Sequence, residues 1–206
     1  MSRTQVLSSS LLACLLGASA LLAGCVPKTN IYDAYALTEA RRVAVMPGLG
    51  APGPDGTNAG TAESSLLITS LAGLDYYQVE GPGRIRKATK AGLATRPATS
   101  RSLQAEITDR LDIDLLVLAD VTDYRFTKQW RSASWFVGSS QWTETTYWAG
   151  VDMRIVTPDD GRIVYSGSGS ASSRRGYGPA LQQATGKALA ELARFLADAK
   201  ARRAKK

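Results

Sequence analysis

Residues 151–164 read VDMRIVTPDDGRIV, and this stretch decides the fold class. From Glu144 onward apolar and polar residues alternate, which is typical of a strand that buries one face. Residues 157–161, TPDDG, favour a tight turn, so residues 162–168 are expected to return as an antiparallel partner strand. The side chains expected to point inward are Tyr147, Ala149, Val151, Met153 and Ile155 on the first strand, and Ile163 and Tyr165 on the second.

The segments on either side of this hairpin predict an α/β fold. Residues 42–47, RVAVMP, are typical of a buried strand, and residues 113–126 begin with a continuous apolar run of the same kind. The other predicted elements are a strand at 74–79, helices at 61–71, 99–111 and 179–200, and a Ser/Gly loop at 166–178. Together they predict a three-layer-like sandwich with a mixed sheet of about five strands, flanking helices and a long C-terminal helix.

The N-terminus has the composition of a lipoprotein secretion signal. Arg3 precedes an apolar stretch at residues 11–22, which is shorter than the ~20 residues of a membrane-spanning helix. Small residues then precede a cysteine in Leu22-Ala23-Gly24-Cys25, a pattern that resembles the bacterial lipobox. We therefore predict a signal peptide over residues 1–24 and a lipid on the thiol of Cys25. The alternatives are an ordinary signal peptide or an uncleaved N-terminal anchor, each followed by a coincidental cysteine.

The expected organisation of the chain follows from this signal. Cleavage removes Cys14, so Cys25 remains as the one thiol of the mature chain and no internal disulfide can form. The expected divisions are a signal peptide at 1–24, a lipidated N-terminus and short tether at 25–40, a single α/β domain at 41–199 and a basic tail at 200–206. Val26 follows the cysteine where Asp would retain a lipoprotein in the inner membrane of enteric bacteria. By analogy, this favours the periplasmic face of the outer membrane.

Composition argues against an enzyme and against a nucleic-acid partner. The chain has no histidine, which removes the commonest general base and the usual zinc ligand. Its formal net charge of +7 comes largely from the last seven residues, which hold five Lys or Arg side chains, so the folded part is nearly neutral. We predict no catalytic residue, no metal, no cofactor and no nucleic acid.

All four tryptophans of the chain lie between residues 130 and 148. Residues 128–143, KQWRSASWFVGSSQWT, connect two predicted strands through Gly138-Ser139-Ser140 and are expected to project as the tip of an extended hairpin. Tryptophan anchors protein contacts and also favours the lipid interface, whereas rings that pack over the sheet edge need no partner. The residues expected to contact a protein or a membrane are Trp130, Trp135, Phe136 and Trp142.

Three segments resemble one superfamily of bacterial lipoproteins. They are RVAVMP at residues 42–47, DLLVLADVTDYRF at 114–126 and VDMRIVTPDDGRIVYSGSGS at 151–170, followed by an Ala-rich C-terminal helix. The superfamily includes the curli secretion channel lipoprotein, the penicillin-binding-protein activator lipoprotein B and several uncharacterised lipoproteins. The chain is similar to the uncharacterised branch over residues 41–198.

This resemblance implies an accessory or assembly factor of the cell envelope that acts through protein–protein contacts, including self-association. Its expected partners are the lipid bilayer, through acylated Cys25, and an envelope protein. The alternative is an oligomeric component of an outer-membrane export channel. The curli channel inserts a second hairpin where this chain has only residues 167–178, which are too few for two membrane-crossing strands of ~9–11 residues each.

Overall fold

Segments whose side chains alternate between apolar and polar form the long strands, and segments whose apolar residues are three or four apart form the helices. The computed structural model describes residues 29–52, 56–89, 101–135 and 138–205. The strands are β1 (Thr29–Ile31), β2 (Arg42–Val45), β3 (Gln78–Glu80), β4 (Leu115–Trp135), β5 (Gly138–Val156) and β6 (Ile163–Ser173). The helices are α1 (Ala34–Glu39), α2 (Ala59–Gly73), α3 (Pro82–Ala88), α4 (Arg101–Leu111) and α5 (Tyr177–Arg203). The predicted signal peptide, Cys25 and Phe136 lie outside the described residues.

The six strands form one mixed sheet in the order β1-β6-β5-β4-β2-β3. β2 runs parallel to β3 and β4, and the other neighbouring strands pair antiparallel. The predicted hairpin is present as β5 and β6, with Met153 opposite Gly167 and Ile155 opposite Tyr165. The structure therefore confirms a mixed sheet with flanking helices and a long C-terminal helix, and it adds a sixth strand.

The two faces of the sheet are covered unequally. On one side, which we call the α5 face, α1, α2 and α5 pack on the sheet through a cluster that includes Leu37 and Leu192. On the opposite side, α3 and α4 cover β2 and the start of β4 through residues such as Ile107. The rest of that side, on β5 and β6, carries more exposed side chains such as Asp152 and Ser170, and we call it the open face.

The segment expected to be a tether is largely folded. Composition predicts a tether over residues 25–40, yet residues 29–31 form β1 and residues 34–39 form α1. Thr29 pairs with β6, and Leu37 is completely buried. A three-residue strand and a six-residue helix are too short to show a periodic pattern, so only their tertiary contacts reveal them. Cys25 therefore lies only four residues before the sheet.

The Ser/Gly loop expected at residues 166–178 is also wrong, because β6 continues to Ser173. The small residues there do not form a turn; they allow β6 to pack closely against α5. A Cβ atom on Gly169 would lie 2.1 Å from the carbonyl oxygen of Ala184, since β6 passes directly beneath α5. Glycine in a strand marks such a close backbone approach.

Two predicted strand boundaries differ from the structure. Ile163, expected to point inward, is 39% exposed, because a bulge opposite Ile155 and Val156 shifts the register at the start of β6. Of the strand expected at residues 74–79, only residues 78 and 79 belong to a strand, β3. The reason is that Asp75 adopts a positive φ of 50°, which interrupts the extended backbone.

The basic tail is shorter than its composition suggests. α5 extends through Arg203, so part of the predicted tail is helical. Lys200 contacts the Asp75 carboxylate at 2.7 Å, and Arg203 contacts that of Glu39 at 3.3 Å. Cations in the last turn of a helix also interact favourably with its terminal carbonyl groups.

Candidate functional site

β4 and β5 extend beyond the rest of the sheet as a two-stranded arm. β5 pairs with β6 only from Tyr147 onward, so residues 138–146 pair with β4 alone. We define the arm as residues 127–135 together with 138–146, and its last described pair is Trp135 opposite Gly138. At ~3.3 Å per residue the arm is ~30 Å long. The predicted extended hairpin is confirmed, although Gly138 begins β5 and does not form the connecting turn.

A β-bulge lies where β4 leaves the body of the sheet. The register shifts between Val121 and Asp123, which leaves Thr122 as the additional residue. A Cβ atom on the facing Gly150 would lie 2.8 Å from the Thr122 hydroxyl oxygen, so this position accepts glycine without distortion. Bulges bend a strand and increase its twist, and this one therefore sets the direction in which the arm projects.

Three tyrosines support the base of the arm on the α5 face. The ring of Tyr177, at the start of α5, stacks on that of Tyr124 with centroids 4.0 Å apart. It also meets the ring of Tyr147 edge-on at 4.9 Å. Because these rings join both strands to the helix, they restrict the orientation of the arm before any partner binds.

Two large rings are exposed on the α5 face, one at the base of the arm and one on the arm itself. Phe126 at the base is 44% exposed, and Trp130 farther along the same strand is 79% exposed. The two residues share a face because side chains alternate along a strand. Lys128 lies between them, with its ammonium group 5.5 Å from the Phe126 ring centroid.

The open face carries a different pair of aromatic residues, one on the arm and one at its base. Trp142 is 49% exposed and Trp148, at the base, is 37% exposed. The guanidinium of Arg125 lies 5.9 Å from the Trp148 ring centroid, and the Trp148 indole N–H is 3.4 Å from the Thr127 hydroxyl. Such cation–π contacts hold the ring in place while one of its sides stays accessible.

Charges on the open face are arranged in pairs. The Glu144 carboxylate accepts from Arg131 at 3.0 Å and also contacts Arg174, which lies just after β6. Arg154 contacts the Asp120 carboxylate at 3.5 Å. This face is therefore polar but has little excess charge.

A buried carboxyl group lies away from the arm, between α2 and α5. Glu63 is completely buried, and its Oε2 lies 2.7 Å from the Thr185 hydroxyl. That hydroxyl is also 2.8 Å from the carbonyl oxygen of Leu181, while Oε1 of Glu63 has no hydrogen-bond partner among the described groups. Burial raises the pKa of Glu63 from 4.5 to about 7, and the bond from Thr185 offsets only part of this effect.

The predicted contact residues are only partly brought together. Trp130 and Trp142 are both exposed on the arm, but they lie on opposite faces. The backbone of Trp135 pairs at the far end of the arm, and Phe136 and Cys25 lie outside the described residues. Sequence reasoning did not select Phe126 or Trp148 as contact residues, although two-residue alternation from Trp130 and Trp142 could have done so.

Neither metal chemistry nor a spanning helix is visible in the described part of the chain. No group of three or more Cys, Asp or Glu side chains is placed there to hold a metal ion. None of the helices described combines the length and apolar character needed to cross a membrane.

Comparison with known proteins identifies a solved structure of similar fold. No protein-family model and no curated protein sequence matches the chain. Among solved structures, it is similar to the PelC dodecamer from Paraburkholderia phytofirmans, with a TM-score of 0.51 and 16% identity over 81% of this chain and 96% of that one. The chain has a PelC-like fold. At this identity the likeness concerns the architecture alone.

Two other solved structures are similar in outline. Lipoprotein GNA1162 from Neisseria meningitidis is 17% identical over 80% of this chain and 98% of that one, with a TM-score of 0.44. The LpoB C-terminal domain from Salmonella enterica is 14% identical over 64% of this chain and 83% of that one, with a TM-score of 0.42. A penicillin-binding-protein activator lipoprotein is thus among the similar structures, and the likeness to the curli channel stays a prediction.

Proposed function

We propose that this PelC-like chain is a lipid-anchored, non-enzymatic accessory lipoprotein at the periplasmic face of the outer membrane. It acts through protein–protein contacts made by the α5 face of the arm. The observation that carries this proposal is Trp130, which is 79% exposed on a rigidly supported projection. Large aromatic residues exposed together are typical of interaction sites, and Trp is enriched among the residues that dominate binding energy.

The construction of the arm supports a binding role. The backbone pairs of β4 and β5 and the stacked rings of Tyr124 and Tyr177 hold the arm in one orientation. Little conformational freedom is then lost when a partner binds Phe126 and Trp130, and preorganisation of this kind increases affinity.

The partner is a second copy of the chain or another envelope protein. The solved PelC structure is a dodecamer, which supports self-association of a chain with the same fold. The arm is suited to such a contact because no described strand pairs with its outer edges.

The first test concerns the anchor. Changing Cys25→Ser is expected to move nearly all of the protein from the membrane fraction to the soluble fraction and to abolish palmitate labelling. The physical reason is that each buried CH₂ of an acyl chain contributes ~0.8 kcal/mol to membrane binding, and two or more chains give stable attachment. The matched control is Cys14→Ser, which lies within the predicted signal peptide and should leave both measurements unchanged. Continued palmitate labelling of the Cys25→Ser variant would contradict the anchor.

The second test concerns the arm. A photo-crosslinking residue at Thr143, directly opposite Trp130, is expected to form a protein adduct that disappears in the Phe126→Ser/Trp130→Ser variant. Both rings are exposed, so their loss should leave the fold intact while removing the contact. The same crosslinker at Gln129, on the open face, serves as the control and should form no protein adduct. Equal adducts from the two positions would rule out a contact specific to the α5 face.

A second candidate is an oligomeric ring that assists export through the outer membrane. The dodecameric state of PelC favours it, because a ring of copies would occupy the unpaired edges of each arm. Sizing of the detergent-extracted protein separates the two candidates. A large ring that conducts ions in planar bilayers would replace the accessory-factor proposal.

A further inference from the structure

The short chain before β1 limits how far the lipid can lie from the sheet. Cys25 precedes Thr29 by four residues, so the two Cα atoms are at most ~14 Å apart. Thr29 pairs with Gly167 and Ile31 with Tyr165, so the N-terminal end of β1 points toward Ser173 and the arm. A reversal to the opposite end of the sheet would consume the same four residues, since a tight turn takes four.

The arm reaches much farther than the anchor in the same direction. Gly167 lies six residue steps before Ser173, or ~20 Å along the strand, and the arm adds ~30 Å beyond that point. The end of the arm is thus ~50 Å from the level of Thr29, whereas the lipid-bearing residue is within ~14 Å of it. If the strands stood perpendicular to the membrane, the end of the arm would lie ~36 Å deeper in the membrane than Cys25. This depth exceeds the ~30 Å thickness of the hydrocarbon core.

A single copy cannot insert its arm into the membrane in this way, because the arm carries polar residues and unpaired strand edges. Both faces carry polar or charged residues, among them Lys128, Arg131 and Glu144. No described strand pairs with the outer edge of either arm strand, so their backbone groups would lack partners in hydrocarbon. Each unpaired backbone group costs several kcal/mol there, and charged side chains add to this cost.

We infer that the domain lies on its side, with its strands along the membrane surface and the open face of β5, β6 and the arm against the lipid headgroups. This orientation rests on the proposed lipid at Cys25. It brings Trp142 and Trp148 to the interface, where the amphipathic indole ring is favoured. It directs Trp130 away from the membrane, toward the protein partner.

The chemistry of the open face suits a headgroup layer. Along β6 this face is a row of small hydroxyl side chains, comprising Ser166, Ser168, Ser170 and Ser172. The guanidinium groups of Arg125 and Arg154 are paired with carboxylates at 3.2 and 3.5 Å. A polar surface without excess charge requires no particular lipid charge, so a zwitterionic bilayer is a sufficient probe.

Fluorescence quenching tests the orientation. Three variants of the lipidated full-length mature protein each keep one tryptophan, Trp130, Trp142 or Trp148, with the others changed to Phe. They are reconstituted into phosphatidylcholine vesicles that carry bromine near the headgroup or deep in the acyl chain. Trp142 and Trp148 are expected to lose most of their emission to shallow bromine and little to deep bromine, whereas Trp130 should match its emission in unbrominated vesicles.

Two results would overturn the inference. Unquenched Trp142 and Trp148 would mean that the arm stands clear of the membrane, and deep quenching of all three residues would mean that it is inserted. Vesicle flotation is measured first, with circular dichroism to verify that each variant is folded. If the lipidated parent protein did not float with the vesicles, the proposed lipid anchor would be contradicted, and this orientation with it. Flotation therefore tests the proposed function separately from the orientation.

Discussion

Changing Gly169→Ala is expected to lower the free energy of unfolding by about 3 kcal/mol. The added methyl group would lie 2.1 Å from the carbonyl oxygen of Ala184 and 2.9 Å from the amide nitrogen of Ala188. Both are backbone atoms of α5, so neither can rotate away, and the helix must move off the sheet. Because α5 supplies Leu192 and Leu196 to the main core cluster, that movement loosens the core.

Urea denaturation of the mature chain, carrying Cys25→Ser so that no lipid is attached, measures this effect. The matched control is Gly186→Ala, within the same helix, where a new Cβ has no atom within 4 Å apart from its chain neighbours and the backbone of its own helix. Ala is favoured over Gly in a helix interior by up to ~1 kcal/mol, so the control should raise stability. If the two substitutions changed stability alike, close packing of β6 against α5 would not be the cause.

Changing Glu63→Gln is expected to remove most of the pH dependence of stability between about pH 4.5 and 7. Burial raises the pKa of Glu63 in the folded chain to about 7, above the ordinary 4.5 of an exposed glutamate. A raised folded pKa stabilises the protein fully below pH 4.5, and this contribution is lost as the pH rises through 7. The total loss is about 3 kcal/mol, and it should be complete slightly above pH 7.

The hydrogen bonds around Glu63 do little to stabilise its charged form. The Thr185 hydroxyl has one proton but lies within 2.8 Å of both the Leu181 carbonyl oxygen and the Glu63 carboxyl group. Its one proton is therefore shared between two acceptors, and Oε1 of Glu63 has no hydrogen-bond partner among the described groups, so the neutral carboxyl group is favoured over the charged carboxylate. Glutamine mimics this neutral form, so the variant should exceed the wild type in stability above pH 7. Denaturation curves at pH 5, 6, 7 and 8 measure the difference, and parallel pH profiles for the two proteins would contradict the assignment.

The burial of Glu63 was not predictable from the pattern of α2. The apolar residues of α2 do not mark its buried face, because Ala62 is exposed whereas Glu63 and Ser64 are buried. The reason lies outside the helix, because Ser64 accepts from the amide of Gly48 in the preceding loop and Glu63 meets Thr185 of α5. A helix packed on two sides shows no single apolar stripe, so periodicity could not identify its buried face.

The arm shows which structural features local sequence patterns can predict and which they cannot. Its existence follows from two long alternating segments joined by a short connection, and the structure confirms it. Which aromatic rings share a face depends on the register of β4 and on the bulge at Thr122, which changes the phase of the alternation. Composition alone placed Trp130 and Trp142 in one contact surface, whereas the folded strands place them on opposite faces.

The sequence by itself determined the α/β class, the β5–β6 hairpin and the extended hairpin that forms the arm, because strands and turns depend on short-range alternation and turn residues. It also predicts the lipid-bearing Cys25, since a lipobox is a linear motif. Only the tertiary structure revealed β1, the burial of Glu63 and the separate faces of the arm. Each of these depends on contacts between residues far apart in the chain, which carry no local signature. The distance from Cys25 to the sheet, and the sideways orientation inferred from it, depends on β1 in particular.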